Sequence, residues 1–319
     1  MKPLIPMEPI NCESIPQGPD WIAQVKWDGV RVLAYYDGQQ TRLYNRRLHE
    51  RTYHYPEMTD MREYGRVRSV IFDGEVIALG ADGKPSFREV MRRDGIRRLE
   101  KVRQVQQAVP VTYMIFDVLF VDEAWITDYP FEERFRILSE IVVPNDRIQL
   151  VSCQPNGHAL FDVIRQHGLE GIVMKNVHSK YVIGGKEKAW QKKKNYQDTI
   201  AVVGGVTIRD NVVNSLLLGH YRADGALHYI GHAGAGTLTR QDWLALTERI
   251  IPLVRQEMPF LHKPARAKEA IWLLPQLAVK VNFAEWTESG TLRQPSIQAF
   301  VDLPPDQCVR EPGTEPHSI

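Results

Sequence analysis

The chain has 319 residues, 43% of them hydrophobic, which suits one large globular domain or two smaller ones. Forty Lys and Arg face 39 Asp and Glu, so a nucleic-acid surface must come from local arrangement and not from a global basic field. Three scattered cysteines, Cys12, Cys153 and Cys308, argue against a zinc centre or a disulfide framework and point to a reducing, cytoplasmic setting. "MKPLIPMEPI" carries prolines inside its apolar stretch and makes a poor signal peptide, and no apolar run reaches the length of a membrane span.

The first third is strand-rich. "VRVLAYY" and "TRLYNRR" flank Asp37-Gly38-Gln39-Gln40, a hairpin signal. "VRSVIFDGEVIAL" reads as one or two buried strands broken at Asp73-Gly74. "SFREVMRRDGIRRLEKVRQVQQA" reads as helix with a weak point at Asp94-Gly95, and "VTYMIFDVLFV" as a buried strand. "FEERFRILSEIV" is an amphipathic helix. "HALFDVIRQHG" is another, stopped by Gly168, and "EGIVMKN" follows as a strand. A boundary is expected near Lys194 to Asp198. Beyond it, several short strands around one helix, "TRQDWLALTERIIPLVRQ", suit a small barrel such as an OB-fold. The tail from Pro304 is proline-rich and polar and is expected to fray.

Five short stretches carry candidate chemistry. Lys26-Trp27-Asp28-Gly29 places a lysine beside a turn; alone it says hairpin, but Arg31 adds a second cation. A lysine at such a place either snorkels to water or is positioned to react. Glu75, in "FDGE", is a carboxylate in an apolar strand that calls for a metal or a cation, or else a strand-end group in water. Phe116, in "YMIFD", offers a stacking surface for a flat base or simply a core ring. Glu170 opens "EGIVMK" at the mouth of a strand, where it can turn toward a ligand before regular pleating begins. Lys192 and Lys194, in "WQKKK", share one face of an extended chain, as a phosphate clamp or a solvated linker.

In order and spacing, Lys26, Glu75, Phe116, Glu170 and the Lys192/Lys194 pair resemble the nucleotidyltransferases that include ATP-dependent DNA ligases, RNA ligases and capping enzymes. The chain is most similar to the ligase module of bacterial end-joining ligases, over roughly residues 1 to 300. "YHYPEM", "GKPSFREVMRR" and "ARAKEAIWLLPQLAVKVNFAEWTESGTLRQP" also look like that module. The resemblance implies an α+β fold: an adenylation domain of antiparallel sheets and helices over 1–195, then an OB-fold barrel over 196–303, with 304–319 as tail. It implies that Lys26 takes AMP from ATP, passes it to a DNA 5′-phosphate, and that a 3′-hydroxyl then displaces AMP. It implies Mg²⁺ (or Mn²⁺) on Glu75 and Glu170. It places Arg31 on the nucleotide sugar or nick, Phe116 on adenine, Gln24 at the adenine amino group, Arg46 on a phosphate, and Lys192 and Lys194 on phosphate oxygens. Nicked or broken duplex DNA is the implied partner, with a Ku-like end-binding protein and no membrane, in a bacterial cytoplasm or nucleoid.

Three departures from the family pattern stand out. Gln24 replaces the glutamate that many ligases carry two residues before the lysine. In Asn45-Arg46-Arg47-Leu48 the glycine of "SRNG" is lost, so a different turn is expected there. Val301 stands about where the closing R-x-D-K motif has its arginine, with Arg293 and Lys280 as candidate substitutes. Arg92, Arg93, Arg97, Arg98, Lys101 and Arg103 are candidates to meet DNA phosphates, or in part a solvated helix face. An RNA-end ligase and an inactive nick-binding protein are the alternative readings; a capping guanylyltransferase lacks the "KPSF…R" stretch and the C-terminal block.

Overall fold

A computed structural model describes residues 1–309 except 235, 265, 266, 285 and 288. The chain divides into two units, Met1–Asn195 and Tyr196 onward.

The first unit holds ten strands and four helices. The strands are β1 (Glu8–Asn11), β2 (Trp21–Lys26), β3 (Val30–Tyr36), β4 (Thr41–Asn45), β5 (Val70–Ala78), β6 (Val111–Val121), β7 (Ala124–Trp125), β8 (Ile148–Leu150), β9 (Gly171–Asn176) and β10 (Lys186–Lys194). The helices are α1 (Phe87–Asp94), α2 (Val102–Ala108), α3 (Phe131–Ile141) and α4 (Gly157–His167). One sheet has the order β1-β10-β9-β2 and the other β4-β3-β5-β6-β7, with β8 on β6. The Lys26–Gly29 segment is therefore no hairpin: β2 and β3 lie in different sheets, and the segment crosses between them.

The "VRSVIFDGEVIAL" stretch forms a single strand, β5, without a break at Asp73-Gly74. Gly74 is a close-approach glycine: a Cβ there would lie 2.4 Å from the Tyr113 ring and 2.8 Å from the Met114 carbonyl. The helical stretch after it does break where expected. Ser86 caps α1 by accepting from the Glu89 N–H, and α1 ends at Gly95. Gly168 closes α4 in the left-handed conformation, φ 63°.

The turn at Asn45-Arg46-Arg47-Leu48 is tight and is closed by Asn45. Leu48 holds the left-handed φ of 64° itself, while Asn45 Oδ1 accepts from the Arg47 and His49 N–H groups, both at 3.0 Å. A leucine in that region is strained by about 1 kcal/mol. Leu48→Gly is therefore expected to stabilise the first unit by about 0.5 kcal/mol after the added chain entropy is subtracted, read as a raised midpoint in urea unfolding.

The second unit carries β11 (Gln197–Arg209), β12 (Val212–Tyr221), β13 (Leu227–Ala233), β14 (Val254–Arg255), β15 (Ala270–Phe283), β16 (Ser296–Val301) and one helix, α5 (Arg240–Arg249), opened by a Thr239/Asp242 capping box. The strand order is β13-β12-β11-β15-β14, with β16 on β15. The sheet curls back on itself where the chain leaving β13 reaches β16: Gly236 bridges Ile297, and the Thr237 N–H donates to the Ile297 carbonyl at 2.8 Å. Its core includes Val203, Leu216, Leu218, Val279, Val281 and Ile297.

The start of the expected fraying tail is packed. Leu303 and Cys308 join a buried cluster with Phe260, and the Tyr221 N–H donates to the Cys308 carbonyl at 3.0 Å. Burial of the Cys308 thiol outweighs the prolines around it; residues 310–319 lie outside the described residues. Among the described residues, no helix is long and apolar enough to cross a membrane.

Candidate active site

Lys26 ends β2 at the crossing between the two sheets of the first unit. Its backbone pairs with Gly171 on β9, and Gly171 pairs in turn with Lys194 on β10. Two residues along, Gln24, Val173 and Lys192 form the matching row. Residues paired across an antiparallel sheet share a face, and so do residues two apart. Gln24, Lys26, Lys192 and Lys194 thus stand on one face. Gly171 permits the row: a Cβ there would come within 2.3 Å of the Lys193 carbonyl oxygen. Glu170 sits just before it, held at the strand mouth by the Asn195 N–H, which donates to its carbonyl at 2.8 Å. Its carboxylate, 3% exposed, is in direct ion-pair contact with the Lys26 amine.

The second sheet supplies Arg31, Glu75 and Phe116. Arg31 on β3 pairs with Glu75 on β5. Burial pushes the Glu75 carboxyl up to about 8, opposed by Lys26 and Arg31 and reinforced by Glu170 and Asp28. These influences bring Glu75, Glu170 and Lys26 into one electrostatic neighbourhood. Phe116 is the leftover residue of a β-bulge: Ile115 pairs with Gly74 and Asp117 with Asp73, so nothing on β5 opposes it. Bulges re-aim side chains, and this one leaves the ring half-buried, edge-on to Trp190.

Arg31 is held more tightly than a ligand-seeking arginine would be. Its guanidinium donates to both Asp73 carboxylate oxygens at 2.9 and 2.6 Å, to the Met7 carbonyl at 2.6 Å and to the Tyr181 hydroxyl at 3.2 Å. The Tyr181 hydroxyl in turn donates to Asp73 at 2.7 Å. The remaining open feature is its cationic face, 5.3 Å from the centre of the Phe116 ring. Arg31 is therefore anchored beside Phe116.

Lys175, the lysine of "EGIVMK", is 1% exposed. Its amine lies 3.9 Å from the Trp190 ring centre and 4.6 Å from those of Phe116 and Phe131, and donates to the Phe116 carbonyl at 3.3 Å. Burial lowers it to about 8, against the raising influence of Asp117. The unfolded chain keeps this lysine protonated up to its ordinary value near 10.5. Between about 8 and 10.5 the unfolded state therefore binds the extra proton, and stability rises with pH by up to about 3 kcal/mol in total. Lys175→Met is expected to remove that rise, seen by comparing urea midpoints of the two proteins across the alkaline range.

Arg46 is exposed and paired with Glu8 at 2.8 Å. In the basic stretch, Arg93 is core: it is fully buried, bonded to the Val109 and His54 carbonyls at 3.0 and 2.7 Å and ion-paired with Glu57. Its place on the buried side of α1, decided by packing, removes it from any DNA surface. Arg92 binds Glu89 at 2.5 Å, whereas Arg97, Arg98, Lys101 and Arg103 are exposed. In the second unit Lys280 is buried, 3.9 Å from Asp198, while Arg293 is exposed.

Sequence reasoning missed three supports. Asp73 lay inside the quoted "FDGE", but only its pairing with Arg31 reveals its role. Tyr181 and the Val151–Cys153 segment had no local signal, since their contacts bridge residues more than a hundred positions apart.

A lysine at the crossing of two sheets, faced by carboxylates and a lysine pair and followed by a small barrel, has the build of a nucleotidyltransferase. Comparison with known proteins agrees. Residues 10–194 match the ATP dependent DNA ligase domain, and residues 209–302 the ATP dependent DNA ligase C terminal region. The chain belongs to the ATP-dependent DNA ligase family, with an α+β nucleotidyltransferase domain and a C-terminal OB-fold domain. It is 30% identical over 298 residues to the multifunctional non-homologous end joining protein LigD of Mycobacterium bovis, covering 91% of this chain and 37% of that protein. It is 29% identical over 307 residues to a DNA ligase of Thermococcus fumicolans, covering 90% of this chain and 53% of that one. The chain therefore spans between about a third and a half of the length of these relatives. Among solved structures it is similar to mycobacterial DNA ligase D complexed with ATP and MES: TM-score 0.70, 29% identity, 97% of this chain and 98% of that chain.

Proposed function

We propose that this chain seals 5′-phosphate/3′-hydroxyl breaks in duplex DNA at the expense of ATP, with Lys26 as the residue that carries AMP. The observation that carries the reading is the placing of Lys26: it ends a strand at the crossing of two sheets, in contact with Glu170 and in one row with Lys194. The Lys26 amine gives up a proton and attacks the α-phosphorus; the new N–P bond forms as the P–O bond to pyrophosphate breaks. Lys192 and Lys194 supply fixed positive charge for the phosphate oxygens, where such transfers are governed by positioning and electrostatics. Phe116, re-aimed by its bulge and backed by Arg31, stacks on adenine; the Gln24 amide oxygen accepts from the adenine amine. Arg46 meets a phosphate from the exposed turn.

Glu75 and Glu170 are the residues that would hold Mg²⁺ or Mn²⁺. The Glu75 carboxyl, pushed up mainly by burial, also feels the Glu170 carboxylate, and a hard cation accepts one or two carboxylates while keeping water and phosphate oxygens. Bound there, the cation would offset charge on the transferring phosphate. Duplex DNA would meet the exposed Arg97, Arg98, Lys101 and Arg103. The end-joining name of the mycobacterial relative supports a broken end as substrate, and a Ku-like end-binding protein is the partner proposed with it.

The test is sealing of a 5′-phosphorylated nick in the presence of ATP and Mg²⁺. A joined strand is the expected result. Joining only of a nick that already carries 5′-AMP would place a defect in the first step, at the altered closing motif around Val301. No joining of either substrate would overturn the reading in favour of a nick-binding protein.

A further inference from the structure

On β2, Lys26 and Gln24 alternate onto one face of the first sheet, and Ile22 is the next residue on that face. Ile22 pairs with Lys175 on β9, and Lys175 pairs with Trp190 on β10. Lys175 therefore shares the face of Lys26, Lys192 and Lys194. It differs from them in being covered. Its amine sits among three rings from three elements: Phe116 of β6, Phe131 of α3 and Trp190 of β10. Among the described residues it forms no ion pair. Asp117, a carboxylate whose charge it feels, has both oxygens held by Arg134 at 2.9 Å.

Such a lysine works against the fold. Burial drives the amine toward its neutral form, and a methionine would fill similar space with no charge to desolvate. What the amine does provide is a hold on Phe116. The extra residue of a bulge drops out of regular pairing, and the Phe116 carbonyl accepts from the Lys175 amine at 3.3 Å. The same amine lies over the Phe116 ring, 4.6 Å from its centre. A lysine of one sheet thus holds, by backbone and by ring, a residue of the other sheet that β5 leaves unopposed.

We propose that Lys175 is a positioning residue for nucleotide uptake: it fixes the Phe116 bulge and ring in the pose that receives the flat base, and takes no part in the transfer of phosphorus. The inference rests on the stacking role proposed above for Phe116. A ring that must be ordered at each binding event gives back part of what stacking gains. Holding it in advance from behind removes that cost. The hold acts before and during the reaction alike, so its loss weakens binding of the nucleotide and leaves the bond-breaking step nearly as it was. Arg31 flanks the ring as well, but Asp73 holds both its Nε and its Nη2, whereas the Lys175 amine is bound to the bulge itself.

The experiment is covalent AMP uptake from α-labelled ATP over a range of ATP concentrations, with a melting curve of each protein at pH 7. The proteins are the wild type, Lys175→Met, Lys175→Gln, Phe116→Leu, and Phe116→Leu combined with Lys175→Met. Lys175→Met is expected to raise the apparent KM by about tenfold and to leave the saturated rate within about threefold. It is expected to melt no lower than the wild type, since a buried charge has been removed. In the Phe116→Leu background the same replacement is expected to change the KM by less than about twofold, because no ring is left to place. An equal rise in KM with and without the Phe116 ring would overturn the inference, as would a loss confined to the saturated rate. Lys175→Gln covers a folding failure peculiar to methionine. If both variants melt more than about 10 °C below the wild type, the lysine is a packing member and the inference is wrong. If Phe116→Leu leaves the KM unchanged, the stacking reading fails and the inference with it. No uptake by the wild type would instead strike the ligase reading itself.

Discussion

Arg134→Ala is expected to destabilise the first unit by about 3–5 kcal/mol, the largest stability loss the structure implies for one side chain. Arg134 on α3 and Asp117 on β6 are both fully buried. The guanidinium grips both Asp117 oxygens at 2.9 Å and spends another nitrogen on the Tyr129 and Ser179 carbonyls, at 2.7 and 2.9 Å. Four acceptors lose the guanidinium at once, Asp117 Oδ1 keeping only the Val118 N–H, and a carboxylate remains in the interior. Asp117 also acts on Lys175, which is held by its aromatic rings. Double replacement Arg134→Met with Asp117→Leu should recover part of the loss, because no uncompensated charge then remains in the interior. Urea unfolding of the three proteins checks both statements; equal losses in single and double variants would show that packing and not charge is at stake.

Gly29→Ala is expected to lower AMP uptake by about 100-fold or more while costing about 1–3 kcal/mol of stability. The glycine of Lys26-Trp27-Asp28-Gly29 is not in the left-handed region and so is not there for a turn. It is there because the crossing segment lies directly against β5. A Cβ would stand 2.2 Å from the Val76 carbonyl oxygen and 3.0 Å from both Glu75 Cγ and Ile77 Cγ2. Backbone oxygen cannot step aside, so the segment that carries Lys26 must lift from the strand that carries Glu75. A displacement of about an ångström between reacting groups is enough for that loss of rate. Uptake rates of labelled AMP beside thermal midpoints separate the two effects: a rate drop no larger than the stability loss explains would show that the close approach does not serve the site.

The sequence was most legible where periodicity and punctuation agreed. The α3 and α4 helices, the Gly168 stop, the long β6 strand and the Gly95 break are all local decisions. Asp73-Gly74 misled because Asp-Gly usually marks a turn, while here the missing Cβ makes room for the Tyr113 ring inside one strand. The Lys26–Gly29 crossing misled for the same reason. Leu48 shows the converse: a left-handed residue without glycine, in a turn closed by Asn45, had no local signal. Arg93 had the look of a DNA contact because one-dimensional charge clustering does not say which helix face is buried. At the site, the residue types and their order were visible, but the devices that aim them were not. The Phe116 bulge, the Asp73–Tyr181 hold on Arg31 and the Val151 hold on Gln24 depend on strand register and on contacts distant in sequence.

The central claim is that Lys26 carries AMP, and the most direct measurement is to find the AMP. The wild-type chain and Lys26→Ala are incubated with α-labelled ATP and Mg²⁺, and the labelled protein is digested and mapped. Label is expected on the wild type alone, labile to acid as a phosphoramidate, and on the peptide that contains Lys26. Label on both proteins, or on a peptide without Lys26, would contradict the account.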